Sequence, residues 1–344
     1  MIVLLDPYEE RGGGQAVLEE LLRVVSQSSH SVAVCMPAQG RSRIEIPQQV
    51  LQGEFDDIEQ LVGEEKAVVL VSNANAGHIS VLRIAGALRR KGVVCKTVAI
   101  LHNYPGSRLR TSVVKAVLRK FDNAIAVEPG LSSLRPDALI PSWLSAAPKI
   151  SAPLYLATSR QGVIKSFARP DPSKGMHLLK DIYLAMERIG FTCQVALGDP
   201  LESHRGYVNK LKSDLSPWLV SGRRSAEWLN PGDIFVVPSI YGEAACLSAQ
   251  EAMSRGAFVV ASRVGLMPYL SPTNEGIRTF ALGDTSSAIS VLQDVCNMTP
   301  EVFLSECRGG ATEMARRNLR WFDEVSNLLF SWDLQMPGSL VVRP

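Results

Sequence analysis

A chain of 344 residues is longer than one hydrophobic core ordinarily serves and suits two domains of common size. Hydrophobic residues make up 46% and charged residues 20%, which excludes extensive disorder, and no apolar run approaches the roughly 20 residues that cross a bilayer. The net charge of +2 hides an uneven distribution: from Lys66 to Lys120 every Asp, Glu, Lys or Arg position is basic, which points to an anionic partner there.

In chain order, short β-branched runs alternate with segments of helical period. This is the pattern of stacked βαβ units around a parallel sheet. Strands are predicted at Ile2 to Leu5, Ser31 to Cys35, Ala67 to Ser72, Val94 to Leu101 and Ala124 to Val127. Between them, Gln15 to Ser26 and Ile79 to Lys91 carry apolar stripes at i, i+3/i+4 spacing. Met1 leads directly into the first strand without a basic start and long apolar stretch, so a cytoplasmic location is expected. A Pro-, Ser- and Ala-rich stretch, Pro141 to Pro153, reads as a linker. The pattern then restarts with strands at Leu154 to Thr158, Cys193 to Leu197, Ile234 to Pro238 and Phe258 to Ala261, and the chain is mostly helical from Pro300. The expected architecture is α/β: domains at 1–147 and 148–320, with a helical segment and tail at 321–344 packing back toward the first. Ligands are expected in a cleft at the carboxyl ends of the strands. The six cysteines, at 35, 95, 193, 246, 296 and 307, form no C-x-x-C pair and read as buried thiols rather than as metal ligands or disulfides.

Four segments carry candidate chemistry. In the first, Val237 to Leu270, Glu243 and Glu251 bracket the start of a helix that Ser248 is placed to cap. The N–H groups near Cys246, Leu247, Ser248 and Ala249 then suit a phosphate, and Glu251, in the first turn, suits a pair of ribose hydroxyls. Ser248 to Glu251 also spells a capping box, and Glu243 also reads as a solvated carboxylate. In the second, Ser166 to Gly175, Arg169 and Lys174 lie between a predicted strand and the helix His177 to Arg188. A cationic pair there stabilises a leaving diphosphate, or else represents ordinary turn charges at a helix start. Third, Arg11-Gly12-Gly13-Gly14-Gln15 lets a ligand approach the backbone closely. It has neither the dinucleotide spacing nor the Gly-Lys-Ser/Thr ending of a phosphate loop. Fourth, His102 closes the strand Val94 to Leu101.

The segment Val237 to Leu270 resembles the signature of family 4 retaining glycosyltransferases, and the likeness extends over nearly the whole chain. Ser166 to Gly175 is similar to that family's Arg-to-Lys-Gly motif, Arg11 to Gln15 to its amino-terminal glycine loop, and Leu101-His102-Asn103 to its histidine segment. The resemblance implies the GT-B fold, two doubly wound Rossmann-like domains facing across a cleft. It also implies a nucleoside-diphosphate sugar as donor, a glycan, lipid-linked or small-molecule acceptor, and no metal or cofactor. On it, Arg169, Lys174, Glu243 and His102 serve catalysis, and Gly13, Gly14, Cys246, Leu247, Ser248 and Glu251 bind the donor. The family usually has glycine where Cys246 and Leu266 stand and an acidic residue near Tyr269, so a sugar-nucleotide epimerase or a non-catalytic nucleotide-sugar-binding subunit stays open. A nicotinamide oxidoreductase is disfavoured by the missing glycine fingerprint. The basic helix Ser107 to Lys120 reads either as a dock for anionic lipid or as an ordinary amphipathic domain helix, and without interleaved aromatics it does not suit nucleic acid.

Overall fold

The computed structural model describes all residues except 9–12, 29, 43, 74–76, 103–107, 127–133, 135–137, 140–162, 200–201, 222–227, 242–245 and 332–344. The chain divides into two compact units, Met1–Ser145 with Leu319–Pro344, and Ala146–Asn318.

The first unit is built on a parallel sheet. Its strands are β1 (Ile2–Leu5), β2 (Val32–Cys35), β3 (Leu51–Gly53), β4 (Ala67–Ser72), β5 (Val94–Leu101), β6 (Asn123–Ala126) and β7 (Ala138–Leu139), in the order β3-β2-β1-β4-β5-β6-β7. Every residue of β1 and β4 is buried, as expected of strands covered on both faces. Among the helices are α1 (Gly13–Val25), α2 (Ala38–Arg41), α3 (Ile58–Val62), α4 (His78–Arg90) and α5 (Arg108–Leu118). The strand order reverses between β1 and β4, so the carboxyl ends of these two neighbours form the topological switch point of the sheet.

The second unit repeats the plan with β8 (Ile164–Ala168), β9 (Cys193–Leu197), β10 (Ile234–Val237), β11 (Phe258–Ser262) and β12 (Ile277–Phe280), all parallel and ordered β12-β11-β10-β8-β9. Here the switch point lies between β8 and β10. The helices α6 (Leu179–Arg188), α7 (Arg205–Asp214), α8 (Leu247–Ser254) and α9 (Thr285–Cys296) accompany it, and α10 (Pro300–Ser331) begins in it and passes into the first unit at Leu319. Its core includes Ile164, Tyr183, Trp218, Phe258 and Phe280. Tyr183 meets Trp218 edge-on at 5.5 Å and donates its hydroxyl to the Gln194 carbonyl at 2.9 Å, which satisfies the polar end of a buried ring.

The structure corrects the reading at several points. The strand that leads to Arg169 is Ile164–Ala168; the segment Leu154 to Thr158 lies outside the described residues, as does Pro141 to Pro153. Lys165 conceals β8 in the sequence, because a lysine in a five-residue run reads as solvated. Its ammonium is buried, 2.6 Å from Asp233 and 2.7 Å from the Trp228 carbonyl, so the charge is paired and hydrogen-bonded where the strand buries it. The helix expected from His177 begins at Leu179 after a 3-10 turn, Met176–Leu178. Strands β3, β7 and β12 are additions to the sequence reading: β3 and β7 have three and two residues, too few for a period to emerge, and β12 has four, of which the middle two are half-buried. All six cysteines are free thiols, five buried and Cys296 half-buried.

Candidate active site

Both groups of candidate residues fall at the switch points of their sheets. In the second unit, β8 ends at Ala168 and hands the chain to Arg169, which is half-buried. Asp171 then caps a 3-10 turn, Pro172–Lys174, accepting from the Ser173 N–H at 2.8 Å and the Ser173 hydroxyl at 2.7 Å. Burial alone pushes the Asp171 carboxyl up, but these hydrogen bonds, together with the charges of His204 and Arg169, hold it below the usual carboxylate range. Asp171 therefore carries a negative charge beside Arg169 while it shapes the turn that ends in Lys174.

Gly175 follows at φ +63°, a left-handed conformation that side chains resist. A Cβ on it would lie 1.9 Å from the Pro238 carbonyl oxygen, a contact that only glycine permits. Two residues earlier, the Ser173 carbonyl accepts from the Ile240 N–H at 2.8 Å. These two contacts fasten the Lys174 turn to the segment leaving β10, across the switch point. The Lys-Gly pair is thus a packing requirement as well as a charge.

The segment after β10 runs into α8. Glu243 lies outside the described residues, and so do Arg11 and Gly12. The helix does not begin as its sequence suggests. Its N-cap is Cys246, at φ +40° and ψ +66°, with no side-chain cap bond, and the first intrahelical bonds run from Ala249 and Gln250 to the Cys246 carbonyl at 3.0 and 3.2 Å. Ser248 is accordingly the second helical residue, and Glu251 is the fifth, beyond the first turn. The Ser248–Glu251 capping box is not formed, because Ser248 already has helical backbone and the donors it would cap lie elsewhere. Leu247 and Ser248 carry the N–H groups that precede the intrahelical bonds, the pair suited to an anion. The Cys246 sulfur is buried, 3.6 Å from the Ser248 hydroxyl.

In the first unit, Gly13 and Gly14 are the first two residues of α1 rather than part of a loop before it. Gln15 follows and donates to both oxygens of Asp6 at 3.3 and 3.2 Å. Asp6, immediately beyond β1 and fully buried, also accepts from the Tyr8 N–H at 2.9 Å and the Asn73 amide at 2.7 Å. Burial raises its pKa, and the hydrogen bonds from Tyr8, Asn73 and Gln15 oppose that rise. Asn73, immediately beyond β4, turns its carbonyl oxygen to His102 Nε2 at 3.2 Å. His102 in turn is the residue immediately beyond β5. Behind it, His78 Nδ1 pairs with the Ser72 hydroxyl at 2.7 Å. Burial pushes both imidazoles down to about 4, with the charge of His102 a second cause at His78.

Asp6, Gln15, Asn73 and His78 were not among the residues singled out by sequence. Asp6 and Asn73 did carry a signal, since each is a polar residue directly following a strand of otherwise apolar residues, at the edge where ligands bind. Among the described residues there is no group of three or more His, Cys, Asp or Glu side chains placed to hold a metal, and no helix is long and apolar enough to cross a membrane.

No family model matches the chain. The curated lipopolysaccharide 1,2-N-acetylglucosaminetransferase of Salmonella typhimurium is 22% identical over 256 residues. That is 69% of this chain and 65% of the relative, so the match spans less than two thirds of the relative's length. Among solved structures, HepE from Anabaena in complex with UDP and glucose superposes with a TM-score of 0.74 at 15% identity, over 96% of this chain and 99% of that one. The fold is GT-B. Sucrose-phosphate synthase from Thermosynechococcus elongatus has the same GT-B arrangement, with a TM-score of 0.70 at 16% identity over 96% of this chain and 99% of that one. These likenesses carry the GT-B fold.

The departures from the family pattern have unequal structural meaning within this GT-B chain. At 246 the backbone occupies the region glycine favours, so cysteine there is strained. At 266 the backbone is ordinary, φ −72° and ψ −18°, and Leu266 is buried. Tyr269 is exposed at 56%, and its backbone carbonyl accepts from Arg317.

Proposed function

We propose that the chain is a retaining glycosyltransferase that moves a sugar from a nucleoside-diphosphate sugar, UDP- or GDP-linked, to a glycan, lipid-linked or small-molecule acceptor. The carrying observation is the pinned turn at the second switch point, where Ser173–Ile240 and Gly175–Pro238 contacts fasten the turn that ends in Lys174 to the segment leaving β10. A diphosphate on the Leu247 and Ser248 N–H groups then has a lysine and an arginine on one side of it, and charge that develops as the glycosidic bond breaks is met by fixed cations. Glu251 is assigned to the ribose and Glu243 to the donor sugar. The ligands bound in the HepE complexes, UDP and UDP-glucose, and the N-acetylglucosaminyl transfer of the Salmonella relative support a nucleotide sugar.

In the mechanism proposed, the acceptor hydroxyl attacks on the face from which the diphosphate leaves, and the departing phosphate oxygen takes the acceptor proton. No nucleophilic side chain, metal or cofactor is then required, and the work of the protein is positioning and electrostatic stabilisation. The setting assigned is cell-surface polysaccharide or glycoconjugate synthesis in the cytoplasm. Helix α5, with Arg110 and Val113 exposed, provides peripheral contact with anionic lipid, and liposome co-sedimentation indifferent to anionic lipid removes that contact.

A thermal-shift series against nucleoside diphosphates and nucleotide sugars, followed by product identification, tests the reading. A ligand at 100 times its Kd stabilises the native state by about 2.7 kcal/mol. Stabilisation by one nucleoside diphosphate with transfer or donor hydrolysis is the expected result. An epimerised donor formed without acceptor, or binding without any turnover, assigns the chain to the corresponding alternative.

A further inference from the structure

The first switch point holds a hydrogen-bond chain that the glycosyl-transfer mechanism above does not use. It runs from Asp6 to Asn73 to His102, with the side chains of Asp6 and Asn73 buried at the carboxyl ends of adjacent strands. Among the described residues, the hydrogen bonds at the Asp6 carboxylate all come from donors: the Tyr8 N–H, the Gln15 amide and the Asn73 amide. An ionised carboxylate is an acceptor at every lone pair, so this surrounding suits the charged form. It also decides how the Asn73 amide is turned. The NH2 group must face the carboxylate, because the opposite orientation sets a carbonyl oxygen 2.7 Å from a negative charge.

The consequence passes to the next link. With its NH2 group committed, Asn73 offers only its carbonyl oxygen to His102, 3.2 Å from Nε2. That nitrogen must therefore carry a proton. Burial disfavours a charged ring and outweighs the hydrogen bond with Asn73, which acts the other way. A neutral imidazole with its proton on Nε2 has its lone pair on Nδ1. The groups acting on the ring are thus His78 from α4, Asn73 from the end of β4 and, through Asn73, Asp6 from the end of β1.

We propose that Asn73, oriented by Asp6, is a positioning residue that fixes the His102 proton on Nε2 and so makes Nδ1 the acceptor for a sugar hydroxyl of the bound substrate. The identity of the hydroxyl rests on the glycosyltransferase reading; the tautomer does not. Gln15, the third residue of α1, donates to the same carboxylate, so one buried group meets both that helix and the residue that faces the histidine.

The tautomer is read directly from long-range proton–nitrogen correlation spectra of full-length protein labelled with 15N-histidine, without any ligand. Five histidines are present, and the His102 signals are those missing in His102→Gln. The expected wild-type result is one neutral form protonated on Nε2 at pH 7. Asn73→Leu removes the acceptor at similar size and is expected to release the ring to a mixture of tautomers. Asp6→Asn frees the amide to turn and is expected to weaken the preference in the same direction; it serves also if the leucine variant does not fold. With substrates, either change is expected to lower kcat about tenfold, the worth of one hydrogen bond of roughly 1.4 kcal/mol, while KM for the donor stays within about twofold. A wild-type ring protonated on Nδ1, or a ring state indifferent to both substitutions, overturns the proposal. So does a released tautomer with unchanged kcat. Absence of transfer by wild type alongside the expected spectra counts against the glycosyltransferase reading and leaves the tautomer assignment upheld.

Discussion

Position 246 offers a sharp test because backbone geometry there reverses an ordinary rule. In most settings alanine outlasts glycine by about 0.4–1 kcal/mol, since glycine loses more chain entropy on folding. At Cys246 the left-handed backbone, φ +40°, costs any residue with a Cβ about 1–2 kcal/mol. Setting the two against each other, Cys246→Gly should exceed Cys246→Ala in stability by about 0.5–1 kcal/mol, even though both lose the same buried sulfur. For a unit of this size that is a difference in Tm of roughly 1–4 °C. Differential scanning calorimetry or fluorescence-monitored melting of the two variants, side by side at one pH, measures it. An alanine variant more stable than the glycine variant refutes the geometry of the α8 start, and with it the conclusion that Ser248 and Glu251 are not a capping box.

Three further outcomes are expected. Glu251→Gln should weaken binding of a nucleoside diphosphate by about tenfold, the loss of a charge-assisted hydrogen bond, while inorganic pyrophosphate binds as before; equal loss for both probes in titration calorimetry removes the ribose role. Gly175→Ala meets the Pro238 carbonyl and a left-handed backbone at once, so a loss of more than about 2 kcal/mol is expected by chemical denaturation, and a wild-type midpoint contradicts the pinned turn. His78 and His102 make stability depend on pH. With folded pKa values of about 4, below the 6.5 of the exposed ring, their neutral forms are favoured on folding, so the full stability is present above pH 6.5 and is lost as pH falls toward 4. For the buried His78 alone, at about 1.4 kcal/mol per pH unit, the loss is roughly 3 kcal/mol. Asp6, whose pKa is raised, acts in the opposite sense over its own range. The melting curves of wild type and His78→Gln should therefore draw together between pH 7 and pH 4.5, and a constant gap between them contradicts the burial argument.

The GT-B plan was legible because buried parallel strands such as Val3-Leu4-Leu5 and Val68 to Val71 are continuous apolar runs, and because α1 and α4 keep a strict stripe. Strand β8 was hidden by Lys165, whose charge is matched by Asp233, 68 residues away in sequence, and no local pattern reports a partner at that distance. Lys174 and Gly175 were legible as a motif, but the reason for the glycine lay in Pro238, just beyond another strand. The start of α8 misled in an instructive way: Ser248-Ala249-Gln250-Glu251 has the composition of a capping box, yet the chain enters the helix two residues earlier through a left-handed cysteine. His102 stood out by its place after a strand, whereas Asp6 and Asn73, in equivalent places, were passed over because Asp and Asn after a strand are also common turn residues.

The account turns on a nucleoside diphosphate held by Arg169, Lys174 and the start of α8. Isothermal titration of UDP and GDP into wild type, Arg169→Ala and Lys174→Ala measures this directly. One of the two nucleotides should bind wild type with one site per chain, and each substitution should weaken it at least about tenfold with the melting temperature preserved. Failure of both nucleotides to bind, or binding that neither substitution alters, would contradict it.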